Sequence, residues 1–368
     1  TGSRIQRTDL QSTSPVTVVS AEEFRLTGAV NVEQVLNTLP QVLPGLTGFS
    51  NNPGNGAVTL NLRNLGATRT LVLVNGKRLG ATTGGLQDLS QIPMSAIERI
   101  EVLKDGASSI YGSDAIAGVV NIITRSNFEG ATAQAYYGQY GEGDGETTRA
   151  DFVMGFTGDR GSLTAAVEYR KEEEVMSGDR PYSRYPQGQW HPTRGWTTVS
   201  QWGVINLPAS LGGNRVLDAG ADWRDIGNFH GLNTNTGTSA ADPAGSTADK
   251  SNPNQQTHLR TPLESRSLFV DGSFDLNEDI RLRGSMLYSQ REAARQIAGY
   301  PFQSASFGLM MSADSYYNPV GTHHGFATPQ AVNFWRRTWE IPRVDKPTST
   351  TWRFAAGLEG SFEVGERL

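Results

Sequence analysis

The 368 residues carry 32 Lys and Arg against 37 Asp and Glu, five His and no Cys, a formal net charge of −5. That balance offers no basic surface for nucleic acid, and the lack of Cys excludes a disulfide framework and thiol chemistry. No run of eighteen apolar residues occurs, which excludes a membrane-spanning helix but not a transmembrane barrel, whose strands are apolar only at every second residue.

Length suggests two domains. The chain opens at Thr1-Gly2-Ser3-Arg4 without Met or leader, and is expected to be processed or trimmed. Residues 1–13 are polar and read as extended, and Pro15 to Val19 reads as a strand. Ser20-Ala21-Glu22-Glu23 is a capping box that opens a short helix. Asn31 caps a second, with Val32, Val35, Leu36 and Leu39 on one face and Pro40 ending it. Thr47 to Gly56 has too much Gly, Asn and Pro for a regular element. Val58 to Arg63 and Thr70 to Val74 are strands, and Asn75-Gly76 is a tight-turn signal. Gly80 to Gly85 reads as a flexible loop. Ile97 to Lys104 is a strand, Asp105-Gly106 a turn, Ser108 to Tyr111 a helical turn, and Val119 to Thr124 a β-branched run fit for a buried strand.

The stretch from Ile97 to Thr124, IERIEVLKDGASSIYGSDAIAGVVNIIT, closely resembles the end of the plug domain of TonB-dependent outer-membrane receptors. The resemblance extends back through Arg69 to Arg78 and Leu60 to Gly66, and covers residues 14 to 130 motif by motif. It implies an α+β plug domain over residues 1–129, then the N-terminal strands and extracellular loops of an antiparallel transmembrane β-barrel over residues 130–368. It also implies a TonB box, which is expected upstream of Thr1. Loops at Thr47–Gly56 and Gly80–Gly85 correspond to plug apices that touch substrate, a role carried to Phe49, Asn51, Asn52, Thr82 and Thr83. Solvated turns are the plainer reading of each. In the family, plug arginines face barrel glutamates, so Arg63, Arg69, Glu98, Arg99 and Glu101 are candidates for plug–barrel ion pairs. Such pairs would hold the plug without a continuous apolar interface. Ordinary surface pairs, worth under about 1 kcal/mol each, are the alternative.

Beyond residue 130, six segments alternate apolar and polar: 131–137, 150–156, 163–170, 268–275, 280–288 and 352–362. Each has about the length of a tilted membrane strand, roughly 9–11 residues. Connections alternate too. Tight turns lie at Gly158–Gly161 and Asn277–Asp279, and very long loops at Lys171–Pro262 and Glu292–Thr350. That asymmetry marks outer-membrane barrels. A plug of about 130 residues has a radius of gyration near 14 Å, so a wall around it needs about 20 strands at about 6 Å of circumference each. The family's barrel has twenty-two. Six strands cannot enclose the plug, so the chain is expected to be the N-terminal part of a longer protein.

The loops hold six of the seven Trp and all five His. Trp190, Trp196 and His323 are taken as candidate substrate contacts, since aromatic planes suit sugars, aryl compounds or aromatic siderophores. Loop packing is the alternative. Adjacent His323 and His324 point apart on an extended chain, which is awkward for one metal ion. Gly141 to Glu146 is acidic but lacks a full Ca²⁺-loop pattern. No catalytic set, cofactor or metal site stands out, and no enzyme activity is expected. The resemblance implies TonB-dependent uptake of a scarce solute (siderophore iron, cobalamin, oligosaccharide or aromatic compound) by a monomer in the outer membrane of a Gram-negative bacterium. Its partners would be TonB, energised through ExbB and ExbD, outer-membrane lipid and lipopolysaccharide. The rivals are a soluble periplasmic or secreted carbohydrate-binding β-sandwich, a hydrolase built on loop His and carboxylates, and a transducer with an additional signalling domain upstream.

Overall fold

The computed structural model describes residues 16–26, 29, 31–50, 55–82, 84–104, 108–218, 220–233 and 249–360. The expected extended segment 1–13, the Asp105-Gly106 turn, Asn51, Asn52, Thr83 and Phe362 lie outside them. Two compact units form. One comprises residues 1–174, 260–294 and 346–368, and the other 175–259 and 295–345.

The first unit begins with a small mixed sheet. Strands β1 (Val16–Ser20), β4 (Thr70–Val74), β5 (Lys77–Arg78), β6 (Ile97–Leu103) and β7 (Gly118–Thr124) lie in the order β1-β6-β7-β4-β5, while β2 (Val42–Pro44) and β3 (Leu60–Leu62) form a separate pair. Only β4 and β7 run parallel within the five-stranded sheet. All five residues of β4 are buried, as a continuous apolar run in an inner strand requires. The capping signals form as read. Ser20 N–H donates to Glu23 Oε2 at 2.7 Å before α1 (Ala21–Leu26), and Asn31 Oδ1 accepts from Gln34 N–H at 2.9 Å to start α2 (Val32–Leu36). α3 (Ser108–Tyr111) is a single turn.

The Asn75-Gly76 turn is stitched to β7. Asn75 (φ 51°) donates to Thr124 Oγ1 at 2.7 Å and accepts its N–H at 3.0 Å, while Gly76 (φ 75°) donates to Asn121 Oδ1 at 3.0 Å. The loop after residue 80 is more closed than a flexible loop. Thr82 N–H donates to Leu86 O at 2.8 Å, and the Gln87 amide bonds both Val72 backbone groups. Short β2 was not legible in the sequence, because three residues carry no readable period.

A second, longer sheet takes up the six alternating segments as one antiparallel meander. Its strands are β8 (Gly130–Gly138), β9 (Thr147–Gly158), β10 (Gly161–Glu172), β16 (Leu263–Asp275), β17 (Ile280–Ala293) and β22 (Thr348–Gly360), in the order β22-β17-β16-β10-β9-β8. β8 and β22 are its two margins and do not pair with each other. Gly158 pairs with Gly161, so Asp159-Arg160 is a two-residue turn. The tight connections fall at one end of the sheet and the long ones at the other.

Alternation sorts the two faces. One face is exposed and apolar, and register aligns its side chains in rows, for example Ala165, Val270, Met286 and Phe354, then Val167, Leu268, Tyr288 and Trp352. The other face carries Arg149, Asp151, Glu168, Arg170, Asp271 and Arg291, all buried. A sandwich would cover the apolar face with a second sheet. Here Phe156, Trp352, Phe354 and Leu358 are left exposed.

The long connections are not plain polar loops, and here the sequence expectation needs correction. They fold into the second unit, where β12 (Val204–Asn206), β13 (Asn214–Leu217), β14 (Phe229–Gly231), β19 (Pro301–Gln303) and β20 (Asn333–Arg337) form a sheet in the order β14-β13-β12-β20-β19. Ile205, Leu207, Phe229, Val320 and Val332 form its core. Two small pairs join β11 (Val175–Met176) to β15 (His258–Arg260) and β18 (Arg295–Ile297) to β21 (Arg343–Asp345). Strands of two to five residues are too short to show alternation, which is why this unit was missed.

Gly118 opens β7 at φ 132°, and a Cβ there would lie 2.5 Å from Leu103 O. Gly118→Ala is therefore expected to destabilise the first unit by about 2 kcal/mol or more, read as a fall in the midpoint of chemical unfolding.

Candidate functional site

Within the first unit, the polar face of the long sheet receives the small mixed domain, and the functional geometry lies along that seam. Asp88 and Arg291 are its centre. They form an ion pair with side chains 1% and 7% exposed. Asp88 opens a short 3-10 turn, and its Oδ1 accepts from Ser90 N–H at 3.0 Å, Ser90 Oγ at 2.7 Å and Val58 N–H at 3.0 Å. Arg291, on the inward face of β17, also donates to Ser90 Oγ at 2.6 Å. The carboxylate therefore accepts enough charge-assisted bonds to tolerate removal from water.

Two further polar contacts flank this pair. Ser95 N–H donates to Glu168 Oε2 at 3.3 Å, and Arg149 approaches Met94 Sδ at 3.3 Å while holding Asp151 at 2.9 Å. Beyond them, Arg260 pairs with Glu172 and donates to Gly145 O and Thr147 Oγ1, both at 3.0 Å. Thr261 clamps Gly48 O with its N–H and its hydroxyl, each at 2.9 Å. Beside this group lies buried Glu33 of α2. Burial first, then the neighbouring Glu172 charge, push its pKa up to about 7, against the opposing pull of the Gly48 backbone bond and of Arg170 and Arg260.

The seam is also apolar, which corrects the expectation that ion pairs alone would hold it. Val153, Ala166, Phe269 and Leu287 point inward from the long sheet and join one buried cluster with Leu89, Ile92, Met94 and Ala96. Gly56 lets the backbone come close, since a Cβ on it would sit 2.8 Å from the Ala293 Cβ.

Residues 8–119 match the family model described as the TonB-dependent receptor plug domain. Over those residues the chain carries a plug domain of the TonB-dependent receptor type. Over 188 residues, 51% of its length, it is 31% identical to the vitamin B12 transporter BtuB of Photobacterium profundum, of which it covers 30%. The chain thus spans about a third of that relative's length. Among solved structures it is similar to the ferric enterobactin receptor PfeA of Pseudomonas aeruginosa in complex with BCV-L6, at 16% identity and TM-score 0.49 over 79% of this chain and 38% of that one. It is also similar to the siderophore receptor PirA of Acinetobacter baumannii, at 19% identity and TM-score 0.44 over 94% of this chain and 45% of that one.

Within the plug, Arg63 donates to Ala117 O and Ile116 O, at 3.3 and 3.0 Å, and Arg69 donates to Leu65 O at 3.0 Å. Arg99 pairs with Glu98 at 2.6 Å and Glu101 at 3.1 Å on its own strand. All of these bonds stay inside the plug. The plug-to-wall ion pair described here instead joins Asp88 to Arg291, with the acid on the plug and the arginine on the wall. The polarity is the reverse of that expected for Arg63, Arg69 and Arg99. The sequence carries a signal for each partner singly but not for their pairing: Asp88-Leu89-Ser90 is a capping pattern, and Arg291 continues the inward parity of Arg281 and Arg283 once β17 is extended to residue 293.

In the first unit, Phe49 and Thr82 are exposed. In the second unit, Trp190 is 82% exposed, whereas Trp196 is partly buried and stacks on Tyr185 at 6.5 Å between centroids. His323 and His324 turn their Nε2 atoms to the carbonyls of Asp314 and Tyr316, at 3.1 and 2.6 Å. An aromatic cluster gathers around Trp223, with Tyr316, Tyr317 and His324 rings 5.3–5.6 Å away and the Arg224 guanidinium 5.0 Å over its face. Tyr316 and Tyr317, exposed at its rim, were not among the sequence candidates. Their contact with Trp223 depends on a fold that brings residue 223 to residue 316.

Arg291→Ala strands Asp88 as a buried, unpaired carboxylate, and is expected to cost about 3–5 kcal/mol. The Asp88→Asn/Arg291→Met pair is expected to lose much less, which a double-mutant cycle of denaturant unfolding measures. For Glu33 the folded-state pKa is raised above its unfolded value. Its stabilising contribution is therefore complete below about 4.5 and lost as pH rises through about 7. Glu33→Gln is expected to remove this slope, worth up to about 3 kcal/mol across that window, in unfolding curves taken from pH 5 to 8.

Proposed function

We propose that this chain is the plug and first wall segment of a TonB-dependent importer that carries a scarce solute across the outer membrane of a Gram-negative bacterium. The observation that carries the reading is the division of labour in one sheet. Its inner face seats the plug through a buried ion pair and a patch of apolar side chains, while its outer face exposes an apolar band from Ile280 to Tyr288. Tilted as membrane strands are, nine residues rise about 20–25 Å, the height of an outer-membrane barrel's lipid-facing band. In lipid, an open sheet would leave the outer edges of β8 and β22 unpaired. Closure by further strands, twenty-two in all, belongs to this reading.

In this mechanism the solute is taken by the second unit, with the Trp223 cluster, Trp190 and His323 among its contacts, and by the exposed plug apices at Phe49 and Thr82. Occupancy is passed to the N-terminal side of the plug. TonB, energised through ExbB and ExbD, then draws the plug from the wall. The Asp88–Arg291 pair suits that task. It is strong while dry, and both partners regain water once the seam opens, so the net cost of separation stays moderate. The solute belongs to the class of siderophore iron, cobalamin, oligosaccharides and aromatic compounds. The similarity to a vitamin B12 transporter, BtuB, supports cobalamin as one member to test. Arg63, Arg69, Glu98, Arg99 and Glu101 remain candidates for pairing with the strands that complete the wall.

A cross-link tests the mechanism, since the chain has no Cys of its own. Gly48 and Thr261 are hydrogen-bonded neighbours across the seam, and Gly48 has open space at its Cβ position. A strain lacking the gene is expected to lose growth either under iron limitation or on one carbon source. The native gene should restore it, and the Gly48→Cys/Thr261→Cys variant should restore it only under reducing conditions. Full uptake by the oxidised variant, or release of the protein from membranes without detergent, would refute the reading.

A further inference from the structure

The second unit holds a histidine whose bonding requires a charge. His230, on β14, places Nδ1 2.5 Å from Asp218 Oδ1 and Nε2 2.8 Å from Asp249 Oδ1. A carboxylate only accepts, so both ring nitrogens must donate, and only the imidazolium carries two N–H groups. A neutral ring would present a lone pair to one of the two acids.

We propose that His230 is a proton-dependent clasp that fastens the β14 edge of the second unit's sheet to the stretch Asp249–Ser251. What it fastens is well defined. Asp218 directly follows β13, the neighbour of β14. The Asp249 side chain is 3% exposed, and its second oxygen accepts from Asn233 N–H at 2.7 Å. Two residues on, Ser251 exchanges backbone bonds with Thr197 at 3.0 and 3.1 Å. The imidazolium thus links three separate stretches of chain, near residues 218, 230 and 249.

The charged groups around the ring act in one direction. Asp218 and Asp249 both favour its proton, and their bonds outweigh the modest burial that opposes it, so its pKa is raised. Lys250, beside Asp249, is itself buried and has its own pKa lowered by that burial. Arg215 on β13 spends Nη1 on the Phe229 carbonyl at 2.9 Å, next to His230. Because the folded-state pKa is raised, the clasp is complete below the ordinary histidine value and is lost as pH rises through the higher folded value. The inference concerns this unit's own cohesion and stands whether or not the chain serves uptake.

Hydrogen–deuterium exchange at the imidazole C2 position, followed by mass spectrometry on the full chain, titrates each histidine separately. His230 is expected to titrate above the ordinary histidine value of about 6.5. Asp249→Asn should lower its midpoint by about one pH unit, a tenfold loss of proton affinity. Amide exchange at Asn233, corrected for the intrinsic rate, should quicken about tenfold as pH passes the His230 midpoint. In His230→Gln that step should vanish. A His230 midpoint at or below the ordinary value, or a step that persists in His230→Gln, overturns the proposal. If that variant does not fold, the native titration and the milder Asp218→Asn change, which removes the more exposed acid, decide it alone.

Discussion

A carboxylate and a guanidinium taken out of water together must stay together, and the first unit is arranged around that constraint. Asp88 reaches Arg291 only because its short turn also gathers Val58 and Ser90 onto the same carboxylate. Arg291 reaches Asp88 only because β17 continues in register with β16 to Ala293. Local capping on the plug and strand parity on the wall converge on one bond. A shift of β17 by a single residue would turn Arg291 to the outer face and replace it with Gln290 or Glu292.

The apolar contribution sits directly beside this bond. Phe269 and Leu287 are each 1% exposed on a face that also carries Val153, Ala166 and many charged and hydroxyl side chains. They lower the polarity around Asp88 and Arg291, which strengthens the pair while it is made and makes an unpaired partner more costly. The same seam holds polar atoms without a protein partner, among them Gln91 Oε1, Ser95 Oγ, Thr164 Oγ1 and Arg291 Nε.

Much of this was legible in the sequence. The six long strands could be read because each carries four or more alternations. Asn31, Ser20 and Asn75-Gly76 could be read because their signals are local. The resemblance to the plug domain could be read because the Ile97–Thr124 motif is continuous in the chain. What could not be read depends on contacts between residues far apart in the chain. Asp88 and Arg291 are 203 positions apart, and nothing local in either says which acid an arginine will meet. Arg63 and Arg99 bond to acceptors inside the plug, and no local feature of either residue shows which acceptors those are. The second unit is not legible because its strands are too short to repeat the two-residue period that would reveal them.

The two margins of the long sheet carry one more consequence. β8 and β22 each present a row of main-chain donors and acceptors along nine and thirteen residues. Left without neighbours, such rows template pairing with whatever strand they meet. A chain of this extent produced alone in water would join copy to copy along these borders. Its solubility is thus governed less by its surface charge than by what is hydrogen-bonded to its first and last long strands.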